Sequence, residues 1–107
     1  MRDVRHLYFS RADVLKAVMY FRERNGITVP ESRSVEIHFT EHDLTVDAVV
    51  ALQDFGVEPT FLSIDSHELM ATLLLYCFYK KVSLPNSGER RLSVVDDELV
   101  LTFSNVQ

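Results

Sequence analysis

Between Ser34 and Tyr79 the chain has no lysine or arginine, although it carries eleven of these residues overall. The same stretch holds three of the four histidines. Residues 35–70 alone contain eight Asp/Glu, and the net charge of the chain is −5. Nucleic-acid binding rests on neutralising phosphates, so this balance argues against nucleic acid as a partner. It suits a soluble protein, or one that meets a basic partner. Cysteine is equally scarce. A single Cys77 allows no internal disulfide. The segment Met1–Leu7 lacks the apolar core of a secretory signal. Both features point to a reducing, cytoplasmic setting. Glycine occurs only at 26, 56 and 88, too far apart for a G-x-G-x-x-G turn or a phosphate-binding P-loop. With 47% hydrophobic and 25% charged residues, the chain is neither collagen-like nor disordered. No internal repeat is visible. At 107 residues one globular domain over 1–107 is expected.

What the chain does have is one concentrated apolar stretch, Leu69 to Tyr79, in which only Thr72 is polar. As a helix its eleven residues span about 16 Å, at ~1.5 Å per residue. A bilayer span needs about 20 apolar residues, so no membrane crossing is expected. Strands usually run ~5–6 residues, and Leu, Met and Ala favour helix. Asp65 is placed to cap it, with Glu68 three residues on. Lys80 and Lys81 lie where cations complement the helix dipole. A helix apolar all round must be covered all round. A chain this short has little material for that. The cover is then a sheet and another helix, or a second copy of the protein.

The rest of the chain reads as follows. His6–Phe9 forms a short strand. Ser10 caps a helix from Arg11 to about Asn25, with Val14, Val18 and Phe21 as its apolar stripe and Gly26 just past its end. Residues 27–34 are a connector. Val35–Thr40 alternates as a half-buried strand with Val35, Ile37 and Phe39 inward. Residues 44–55 fit two patterns. As a helix, Leu44, Ala48, Leu52 and Phe55 share a stripe and Gly56 ends it. As a strand, Leu44, Val46, Ala48 and Val50 alternate after a turn at Glu41-His42-Asp43. Valine and threonine content favours the strand, and the Ala-Leu-Gln-Asp-Phe-Gly ending favours the helix, which is preferred. Residues 57–64 read as a further strand, which Pro59 confines to a sheet edge or to a strand start. Residues 84–88 form a loop. Leu92–Phe103 is a hairpin; a two-residue turn at Asp96-Asp97 puts Leu92, Val94, Leu99, Leu101 and Phe103 on one face, with a four-residue loop as the alternative because Asp-Asp is a weaker turn signal than Asp-Gly. The sum is an α/β domain, with α+β as the alternative: a mixed sheet, two to three helices and a C-terminal β-hairpin.

No motif reaches catalytic specificity. His38, Glu41, His42 and Asp43 are the densest group of metal-ligand types. They sit on a strand running into a turn, where polar residues ordinarily face solvent. His67-Glu68-Leu69-Met70-Ala71 starts like H-E-x-x-H but lacks its second histidine. Cys77, between Tyr76 and Phe78, reads as a small buried hydrophobe. Lys80, Lys81, Arg90 and Arg91 read as dipole complementation and hairpin solubility rather than an anion site. No cofactor is implied. The expectation is a non-catalytic protein-interaction or regulatory module, homodimeric through or near helix 66–82, with Leu73, Tyr76 and Tyr79 as interface residues. The alternative is a metal-dependent or small-ligand enzyme domain using His38, Glu41 and His42.

Overall fold

The computed structural model describes residues 2–27, 34–43, 45–54, 56, 58–85 and 88–106. The described elements are strand β1 (Arg2–Phe9), helix α1 (Arg11–Arg24), strands β2 (Ser34–His42), β3 (Thr45–Gln53) and β4 (Thr60–Ile64), helix α2 (Ser66–Tyr79), and strands β5 (Glu89–Val95) and β6 (Glu98–Val106). The fold is α+β.

Both helices begin and end as their sequences direct. Ser10 stands in extended backbone and its Oγ accepts the Asp13 N–H at 3.1 Å. At the far end Gly26 takes φ 72°. That conformation lets the Gly26 N–H reach the Glu23 carbonyl and the Ile27 N–H reach the Arg22 carbonyl, a Schellman closure. Helix α2 starts three residues before the apolar run, because the Asp65 carboxylate accepts the Glu68 N–H at 2.8 Å. It closes in the same way, with the Lys81 N–H on the Phe78 carbonyl and the Val82 N–H on the Cys77 carbonyl. Here the left-handed position is filled by lysine, at φ 59°.

Two expectations are corrected. Residues 45–53 form strand β3, not a helix. Their β-branched residues lie on a ladder paired on both sides, Val50 opposite Ile37 of β2 and Leu62 of β4. Alternation buries Val46, Ala48, Val50 and Leu52. Leu44 and Phe55, the ends of the expected helical stripe, lie outside the described residues, as do parts of the connector and of the 84–88 loop. Nor is there one mixed sheet. The strands form two antiparallel three-stranded sheets, ordered β1-β6-β5 and β2-β3-β4. Pairing of β1 with β6 joins the two ends of the chain and cannot be read from local pattern.

The hairpin has the expected register: Val95 opposite Glu98, Val94 opposite Leu99, Leu92 opposite Leu101. Asp96 and Asp97 both take positive φ, 50° and 64°, as a two-residue hairpin turn requires. β4 is an edge strand that begins just after Pro59.

All eight elements contribute to one core, β1 through Phe9. Val14 and Val18 come from α1, Ile37 from β2, Val50 from β3, Ile64 from β4, Leu69 and Leu73 from α2, and Leu92, Leu99, Leu101 and Phe103 from the hairpin. Each fully buried side chain of this size contributes about 1.5–3 kcal/mol through removal from water. Between the helices, Arg22 of α1 donates to Glu68 of α2 at 3.1 Å and to the Ser63 carbonyl of β4 at 3.2 Å. Only 14% and 23% of the two side chains are exposed, so this pair ties α1 to α2 across little water.

Candidate interaction surface

Helix α2 buries one face and leaves the other uncovered. Leu69, Thr72, Leu73 and Cys77 point inward and are closed off from solvent. At 3.6 residues per turn the opposite face runs through Ala71, Leu75 and Phe78 and continues to Val82 just past the helix end. Ala71, Phe78 and Val82 are exposed and Leu75 is half-buried. Phe78 is 80% exposed. The helix contains one Asp/Glu and no Lys/Arg, and that one, Glu68, is turned toward α1 by its pair with Arg22. The outward face therefore carries no Asp, Glu, Lys or Arg.

Beside this face a cleft of about 560 Å³ opens between the C-terminal halves of the two helices. Tyr20 and Tyr79 form one wall, their rings 4.9 Å apart and tilted by 37°. Leu75, Phe78 and Val82 line it as well, so cleft and stripe are one continuous apolar surface. Its charged lining is cationic: Arg24, whose guanidinium donates to the Tyr20 hydroxyl at 3.3 Å, and Lys81. Lys80 lies 5.7 Å from the centres of both the Tyr76 and Tyr79 rings.

Of the three expected interface residues, the structure removes one from the surface. Leu73 has no exposed area and belongs to the core. Tyr76 is half-buried and packs edge-on to Phe9. Tyr79 is 57% exposed and lines the cleft. The residues the sequence reading missed are Ala71, Leu75, Phe78, Val82 and Tyr20. A helical wheel groups the α2 positions, but in a helix apolar all round it does not show which face points out.

The metal-ligand candidates are divided by strand alternation. Glu36, His38, Thr40 and His42 project from one face of β2 and Glu41 from the other. His38 lies 3.5 Å from Glu36, and His42 lies 3.0 Å from Asp47 across the ladder, all four exposed or half-exposed. Among the described residues no three His, Cys, Asp or Glu side chains gather where they could hold a metal ion. The four cations considered as an anion site also part company. Lys81 lines the cleft beside α2, whereas Arg90 and Arg91 line a separate hollow with His67 and Met70. Arg90 lies 5.9 Å from the centre of the Phe103 ring. Cys77 is buried, and that burial pushes its thiol above the ordinary value. It is held as an unreactive thiol. Among the described residues no helix is long and apolar enough to cross a membrane.

No protein-family model matches the chain, and no curated protein or solved structure matches it either.

Proposed function

We propose that this protein is a non-catalytic interaction module that associates with itself through the outward face of α2. The observation that carries the reading is the uncharged, uncovered stripe Ala71–Leu75–Phe78–Val82 with Phe78 80% exposed. Contiguous apolar surface of this kind on a small domain marks a contact site, because leaving it in water costs about 25 cal/mol per Å². An aromatic at the centre of such a patch is the residue type that dominates binding energy. The single buried cysteine suits a reducing compartment, and we place the protein in the cytoplasm.

Light scattering tests the reading. Dimer is expected from about 10 μM upward, an affinity of about 7 kcal/mol, in keeping with a contact of modest area. Phe78→Asp is expected to give a folded monomer with unchanged circular dichroism, since the side chain is outside the core. A wild type that stays monomeric at millimolar concentration refutes the proposal.

A further inference from the structure

We infer that the cleft between α1 and α2 binds a small aromatic carboxylate, its ring against Phe78 and its carboxylate held by Arg24 and Lys81. The inference stands apart from self-association, and three observations carry it.

The first is the shape and lining of the cleft. Its volume of about 560 Å³ falls in the range of small-molecule pockets, roughly 300–1,000 Å³. Such pockets are mostly apolar, with a few polar groups that fix orientation. Here the apolar part is largely aromatic. Tyr20 and Tyr79 are packed on each other and make one wall. Phe78 is exposed and has no ring partner among the described residues, so its face is open to a ligand ring.

The second is charge. The chain is acidic, at −5, yet both charged residues described in the lining are cations, Arg24 and Lys81. Arg11 and Arg22, also on α1, are paired with Asp97 and Glu68. Arg24 and Lys81 have no carboxylate within 4.0 Å among the described residues. Arg24 donates instead to the Tyr20 hydroxyl, which sets its guanidinium beside the aromatic wall. Both helices end here, and each C-terminus carries about half a negative charge. Two full cations exceed that, so the cleft favours an anion. A carboxylate accepts from a guanidinium as a two-pronged fork and meets an ammonium as a point charge.

The third is the position of Lys81. It takes the left-handed closing position of α2, at φ 59°, where α1 has Gly26. Glycine closes a helix there with less strain. What lysine adds is an ammonium group in the lining of the cleft. These features also select among ligands. A cation is repelled by Arg24 and Lys81, and a neutral ring leaves both without a partner. An alkyl carboxylate forgoes the stacking that Phe78 offers.

Saturation-transfer NMR with naphthoate, its neutral isostere naphthamide and octanoate tests the site. Phe78 also lies in the face proposed for self-association, so the titrations are run below the association threshold. Naphthoate is expected to fill one site with a Kd of about 0.1–1 mM, in keeping with a ligand of its size. Naphthamide and octanoate are expected to bind about tenfold more weakly. Arg24→Gln and Lys81→Gly should each weaken naphthoate about tenfold and leave naphthamide unchanged. Lys81→Gly is expected to be the more stable protein, so its loss of binding is not a loss of fold. Equal affinity for naphthoate and naphthamide, or wild-type affinity in both variants, overturns the anion site. Tighter binding of octanoate than of naphthoate overturns the aromatic class. Absence of saturable naphthoate binding at about 10 mM overturns the inference altogether.

Discussion

Helices α1 and α2 have the same length, 14 residues each, and are built by the same rules. Each is opened by a side-chain oxygen bonded three residues on and closed by a Schellman turn. Each buries a narrow face against the sheets and the other helix. Their outer faces differ. On α1 the outward positions include Lys16 and Glu23, both exposed, so water solvates that side well. On α2 the matching positions are Ala71, Leu75 and Phe78. Capping, dipole and inward packing are thus satisfied equally in both helices, and none of them explains the apolar outer face. The self-association proposed above would account for it. The inward side fixes the fold, and the outward side is free to be spent on a partner.

Substitutions that separate these roles rank by size. Leu73→Ala and Phe78→Ala remove comparable apolar side chains from opposite sides of α2. Leu73→Ala is expected to cost about 3–5 kcal/mol, because the core cannot close over the cavity. Phe78→Ala should change monomer stability by no more than about 0.5 kcal/mol, as an exposed substitution does. Urea unfolding below the association threshold measures both. If Phe78→Ala destabilises the monomer as much as Leu73→Ala, the division into inner and outer faces fails. Next comes the tie between the helices. Glu68→Ala leaves the part-buried Arg22 with only the Ser63 carbonyl as acceptor and should cost about 1.5–3 kcal/mol by the same assay. The two caps should be equivalent. Ser10→Ala and Asp65→Ala are each expected to lower stability by about 1 kcal/mol. Helix closure is where the pair is unequal. Lys81→Gly relieves a side chain in the left-handed region and should raise Tm, with a gain of about 0.5–1 kcal/mol. Gly26→Ala introduces the same strain in α1 and should lower it.

The smallest effect is one of pH. Burial raises the Cys77 thiol above its ordinary value. The folded state therefore keeps a proton that the unfolded state releases. Below about pH 8.5, the ordinary thiol value, both states hold it and this group makes stability independent of pH. As pH rises from there through the folded value, stability falls. Cys77→Ala should remove that alkaline slope while lowering stability overall, and alkaline urea titrations of the two proteins check it. A free-thiol reagent at neutral pH should react with Cys77 only as fast as the protein opens.

Local physics made much of this fold legible. Ser10, Gly26 and Asp65 marked helix ends, and the hairpin register followed from placing Leu92, Val94, Leu99 and Leu101 on one face. Residues 45–53 misled because two periods overlap there. Ala48 and Leu52 satisfy a helical repeat, while Val46, Ala48, Val50 and Leu52 satisfy alternation. Val49 and Ala51, apolar on the outer face of a central strand, blur the alternation that would have decided it. The separation into two sheets rests on β1 finding β6, a pairing no window along the chain contains. The candidate surface was half legible. The surplus of apolar residues in α2 was evident from composition. That Leu73 lies inside and Phe78 outside depends on where α1 and β3 are packed, which residues 66–79 do not state. The histidines were visible as a cluster, yet β2 turns Glu41 away from them.

The β1–β6 ladder also sets an order of events. Arg2 pairs with Val106 and Phe9 with Leu99, so one sheet is stitched from the two ends of the sequence. The other sheet joins neighbours, β2 to β3 to β4. Closing a loop of some ninety residues is slow compared with closing a hairpin. During synthesis β2–β4 has its partners at once, whereas β1 waits, unpaired, until β6 has been made. Until then Leu7 and Phe9 have no Leu99 or Leu101 opposite them, and β1 is an unpaired apolar strand edge open to wrong partners.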